Sequence, residues 1–119
     1  MSNDRFKIDV EGSVQVLHFS LPPTLDNIEV DSLIESVLKQ LEANGDRSWI
    51  VDLSHTEYLG SSMLGLFVNI REKIRRAGGM LVLCGMSPPL TRIFKTCCLE
   101  RLFTIVKSRS DAMALVSRN

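Results

Sequence analysis

Two apolar runs, Trp49 to Leu53 and Met80 to Cys84, constrain this chain more than any other feature. The first is interrupted only by Asp52, and neither alternates apolar with polar residues as a half-exposed strand does. Each is expected to be a strand covered on both faces, which is the habit of parallel sheets flanked by helices. The segment between them supports this. From about Ser62 to Ala77, the residues Met63, Leu66, Phe67, Ile70, Ile74 and Ala77 recur on one stripe, and Gly78-Gly79 stops the helix.

The rest of the chain extends the same alternation. Phe6, Ile8 and Val10 alternate with Lys7, Asp9 and Glu11, and Val14 to Phe19 alternates again after Gly12-Ser13, which reads as a hairpin. Pro22-Pro23 breaks the chain, and Leu25-Asp26-Asn27 opens a helix. Its stripe is Val30, Leu33, Ile34, Val37, Leu38 and Leu41, and Asn44-Gly45 closes it. Ser87-Pro88-Pro89 starts a third helix with the stripe Leu90, Ile93, Phe94 and Cys97. A short strand from Phe103 to Val106 precedes Ser110 and a last helix carrying Ala112, Leu115 and Val116. The order ββαβαβαβα predicts an α/β fold: a mixed, mainly parallel sheet of about five strands packed with four helices. In such sheets the loops leaving the carboxyl ends of the strands converge on one edge, and Ser54 to Ser62 is such a loop.

A length of 119 residues suits one domain, 1-119, able to bury about two-thirds of its unfolded surface. Fourteen basic residues against fourteen acidic ones leave no net charge, which argues against nucleic acid or a membrane surface as partner and leaves weak homodimerisation open. No secretory leader or spanning segment is read from the chain, so a cytoplasmic protein is expected. The three cysteines, Cys84, Cys97 and Cys98, lack CxxC spacing and read as reduced, mostly buried thiols.

Enzymatic readings fail for want of motifs. Neither GxGxxG nor GxxxxGK[ST] occurs, the glycines around Ser61 miss the G-x-S-x-G spacing, and no residue cluster has metal-ligand spacing, so neither cofactor nor metal is expected. His18 sits in a predicted strand and reads as structural. His55, near Asp52 and Glu57, is the remaining candidate base. The serine pair Ser61-Ser62 stands at a helix start, where a hydroxyl can cap free N–H groups. Alternatively it accepts a phosphate, whose charge the helix N-terminus favours. Leu64 and Val68 fall beside the core stripe, near Arg71 and Arg75. They are either docking residues or covered by a further layer.

Several segments in order resemble a known family. Val51-Asp52-Leu53-Ser54, Ser61-Ser62 with Leu64-Gly65, Gly78-Gly79-Met80-Leu81-Val82-Leu83, Leu99-Glu100-Arg101-Leu102-Phe103 with Ile105 and Ser108, and Leu25-Asp26 together resemble a STAS domain of the anti-sigma factor antagonist type. The resemblance spans essentially the whole chain. It implies a small cytoplasmic binding protein whose partner is an anti-sigma factor serine kinase. That kinase phosphorylates the first serine, here Ser61, with Ser62 the lesser candidate; phosphorylation releases the complex, and a phosphatase restores it. The implied partner surface comprises Asp26, Glu57, Gly60, Ser61, Ser62, Leu64, Val68 and Arg71.

Two positions depart from the pattern. The family's acidic residue before the serine pair is Gly60 here, and the glycine after it is Met63. These departures point either to a divergent kinase or to a second reading, a constitutive STAS interaction or scaffold module in which Ser61 only caps a helix. A third reading, an enzyme working through the Ser54 to Ser62 loop with His55 and Glu57, requires a phosphate loop or metal ligands that the sequence lacks.

Overall fold

A computed structural model of the chain describes residues 5–22, 25–44 and 46–117. The hairpin forms as its pattern requires: β1 (Phe6–Glu11) and β2 (Val14–Phe19) are antiparallel, joined by a two-residue loop in which Gly12 takes a φ of 62°. Then follow α1 (Asn27–Asn44), β3 (Ser48–Asp52), α2 (Ser61–Arg76), β4 (Met80–Cys84), α3 (Pro88–Thr96), β5 (Thr104–Val106) and α4 (Arg109–Val116). The sheet order is β1-β2-β3-β4-β5, parallel at every junction except the hairpin. Gly45, expected to close the first helix, and Pro23 of the proline pair lie outside the described residues.

The alternation of side chains across the pleat divides the core in two. One face presents Leu17, Phe19, Trp49, Val51 and Leu83 to α1, α2 and α3. The other presents Val14, Val16, Ile50, Val82 and Cys84 to Ala112 and Val116 of α4. The first face is tied together by rings: Phe19 to Phe67 at 5.5 Å, Phe67 to Phe94 at 6.3 Å and Phe94 to Phe103 at 5.8 Å between centroids. These edge and tilted contacts seat α3 against α2. Trp49 Nε1 donates to the Asn44 carbonyl at 2.9 Å, which satisfies the end of α1 from the middle of the sheet.

Four local expectations need correction. Ala77 is the exposed C-cap of α2 rather than a core residue, because the helix ends at Arg76. Cys97 and Cys98 are exposed rather than buried: α3 stops at Thr96, Cys97 caps it, and Cys98 turns the chain at a φ of 57°. Cys84 alone behaves as a buried thiol. The last helix starts one residue after Ser108, whose hydroxyl accepts from the Asp111 amide at 3.1 Å, so Ser110 lies inside the helix. The last strand begins at Thr104, leaving Phe103 buried just before it.

The serine pair and its two grooves

Loop 53–60 is held from below and exposed above. Leu53 N donates to the Cys84 carbonyl at 2.9 Å, Thr56 Oγ1 donates to the Phe19 carbonyl at 3.1 Å, and Leu59 is buried. Those anchors leave Glu57 and Tyr58 projecting outward, and Tyr58 is 53% exposed. Beneath the loop, Asp52 accepts from Ser54 N at 2.9 Å and pairs with His18 Nδ1 at 3.2 Å, while Asp9 meets His18 Nε2 at 3.2 Å. Arg109 lies 3.4 Å from the same ring and pairs with Glu11. Burial opposes the charge on Asp52, yet the Ser54 backbone and side-chain hydrogen bonds, with His18 beside it, hold its pKa below the ordinary value of 3.8. Gly85 makes this packing feasible, since a Cβ there would stand 2.9 Å from Asp52 Oδ1.

His18 is thus a structural imidazole within a polar cluster, as its strand position suggested. His55 points elsewhere. It is exposed and lines a depression of about 400 Å³ with Ser54, Glu57 and Tyr58, and no described hydrogen bond joins it to Asp52 or Glu57. The candidate base therefore lacks an orienting partner. Among the described residues, no group of three His, Cys, Asp or Glu side chains could hold a metal ion.

The chain enters α2 through Gly60, whose φ of −77° and ψ of 172° are extended, and Ser61 is the first helical residue. Leu64 N closes the first helical bond, donating to the Gly60 carbonyl at 3.0 Å. The amides of Ser61, Ser62 and Met63 thus precede the helical ladder, and among the described residues no side chain caps them. The capping role expected for Ser61 is not what its hydroxyl does. Ser61 and Ser62 are both exposed, and they stand between two grooves. One, of about 270 Å³, lies toward the start of α1 and is lined by Leu25, Asn27, Val30 and the serine pair. The other, of about 510 Å³, lies toward α3 and is lined by Tyr58, Ser61, Leu64, Pro89, Arg92 and Ile93, among others.

The remaining expected partner residues separate. Asp26 caps α1, its Oδ1 accepting from Glu29 N at 2.8 Å, and lies in sequence between Leu25 and Asn27, which line the smaller groove. Leu64 is only 9% exposed, so it is not a free docking residue; α3 packs beside it, and it forms part of a groove wall. Val68 is half-buried. Arg71 lies about 15 Å along the helix from Ser61, and its Nε donates to the Leu102 carbonyl at 2.6 Å. It braces the chain before β5 and has no place at the serine pair. Tyr58, Pro89, Arg92 and Ile93 also line the larger groove and were not among the expected site residues. A tyrosine beside the charged Glu57 in the loop was the available signal for Tyr58. The α3 residues carried none, since only tertiary packing brings that helix beside α2.

Residues 7–112 match the model of the STAS domain. The chain belongs to the STAS domain family. BtrV of Bordetella bronchiseptica, provisionally named an anti-sigma factor antagonist, is 27% identical over 81 residues, 68% of this chain and 70% of that protein. An anti-sigma-factor antagonist (STAS) domain protein from Planctomyces limnophilus superposes with a TM-score of 0.83 at 21% identity, over 95% of this chain and 98% of the other. SpoIIAA, a Bacillus cell fate determinant solved in its phosphorylated form, superposes at a TM-score of 0.66 and 18% identity, over 93% of this chain and 98% of its own. In this STAS domain, no described helix is long and apolar enough to cross a membrane.

Proposed function

We propose that this STAS domain is an anti-sigma factor antagonist switched by phosphorylation of Ser61. In the unmodified state it holds an anti-sigma factor serine kinase against the surface formed by Tyr58, the serine pair and the flanking grooves. Phosphate on Ser61 releases the complex, and a phosphatase resets it. The chain does no chemistry of its own in this scheme. The observation that carries it is the Ser61 hydroxyl, exposed and unused by the helix it begins. The name of BtrV and the phosphorylated form of SpoIIAA lend support by kinship.

The energetics suit a switch. A dianion trapped without a partner in a closed interface costs on the order of 3–5 kcal/mol, more than a hundredfold in Kd. Ser61→Asp is therefore expected to weaken binding to the partner captured from the native cell at least tenfold, with Ser61→Ala binding like the unmodified chain. Equal affinity of all three forms would remove the switch. Gly60 supports one further reading, a constitutive binding module, because it lacks the carboxylate the family carries before the serine. That reading predicts a captured partner and no phosphate on the Ser61 peptide under any growth condition.

A further inference from the structure

We propose that Arg92 is the internal receptor for a phosphate on Ser61, and that their pairing closes the larger groove. The inference rests on the phospho-acceptor reading of Ser61 and adds the residue that reads the modification. Ser61 opens one wall of the groove at the start of α2, and Arg92 stands on the other wall, on α3. Tyr58, Leu64, Pro89 and Ile93 line the same groove, and among the described residues Arg92 is the one charged group in the lining.

Its guanidinium is also uncommitted. Arg5, Arg75, Arg76 and Arg109 all pair with carboxylates, and Arg71 is bound to a carbonyl. Arg92 is exposed and forms no ion pair with a described residue. A phosphate on Ser61 meets the uncapped amides at the start of α2 on one side and this free fork on the other. Arginine binds phosphate through two parallel N–H donors, a geometry lysine lacks. Drawn to the phosphate, the Arg92 side chain lies across the apolar floor and covers it. Release then comes from occlusion within this chain as well as from repulsion of the partner.

The test uses the full chain with phosphoserine installed genetically at position 61, so no kinase is needed. The phosphate is titrated by ³¹P NMR in the parent, Arg92→Gln, Arg92→Lys and Lys95→Gln, the last removing a nearby exposed charge outside the groove. Free phosphoserine has a second pKa of about 6. Arg92→Gln is expected to raise the midpoint relative to the parent by about half a unit or more, roughly a threefold change in proton affinity. Arg92→Lys is expected to recover part of that shift, and Lys95→Gln to cause much less. Identical midpoints in parent and Arg92→Gln overturn the proposal, as does an equal shift from Lys95→Gln, which would mean only a diffuse field. Absence of phosphate on Ser61 in the native cell would instead overturn the acceptor reading and leave the titration result standing.

Discussion

At the scale of single residues, the polar cluster under the loop makes the clearest demands. Asp52 is held below its ordinary pKa, so its contribution to stability is complete above about pH 4 and fades as pH falls through the lowered value. Asp52→Asn is expected to cost about 1–2 kcal/mol at pH 7, through weakened bonds to Ser54 and His18. The gap to the parent should be smaller at pH 2 than at pH 7. Urea unfolding at both pH values checks this, and a pH-independent gap would contradict it. The thiols offer a second measurement. Burial, then the nearby Asp52 charge, pushes Cys84 up to about 11, while Cys97 and Cys98 are exposed. At pH 8 a maleimide should modify Cys97 and Cys98 quickly in the folded protein and reach Cys84 only on unfolding. Mass spectrometry of the labelled peptides reads the order directly.

At the scale of elements, the helix starts are not equivalent. Asp26, Ser87 and Ser108 each accept a backbone amide at the head of α1, α3 and α4, whereas the N-cap of α2 is the glycine Gly60. Alanine at Asp26, Ser87 or Ser108 is expected to cost about 1 kcal/mol each. Ser61→Ala should change stability by less than about 0.5 kcal/mol, since no capping bond is lost. Gly60→Asp introduces a capping carboxylate where a Cβ meets nothing within 4 Å, and should stabilise by about 0.5–1 kcal/mol. Urea midpoints for the five variants test the set; a Ser61→Ala loss as large as that of Ser108→Ala would restore the capping role to Ser61.

At the scale of the whole molecule, the two faces of the sheet carry unequal cover. Three helices protect one face, and on the other α4 alone lies over Val16, Ile50 and Val82. Ala112 is fully buried there, whereas Ala114 on the same short helix is exposed. Ala112→Asp places an unpaired carboxylate against the sheet and is expected to cost about 3 kcal/mol or more, out of a total stability of about 5–15 kcal/mol. The thermal midpoint should fall by about 10 °C or more, while Ala114→Asp stays close to the parent. Comparable melting of the two variants would show that the second face does not depend on α4. The edge that carries the serine pair depends on the first face, because the Phe19, Phe67, Phe94 and Phe103 contacts set α3 beside α2 and so create the larger groove.

What the chain declared by itself was local or periodic. Apolar runs, helical stripes, capping residues and the hairpin glycine act within a few positions of one another, so the described elements, their order and the place of the serine pair were legible in the sequence. Family motifs added the candidate role of Ser61. Tertiary structure decided which off-stripe residues are covered and which polar groups find partners, since those outcomes depend on segments far apart in sequence. Leu64 became a groove wall because α3 packs beside it, Arg71 became a brace because the chain before β5 passes it, and Arg92 came to line the same groove as Ser61, a juxtaposition that no periodicity encodes.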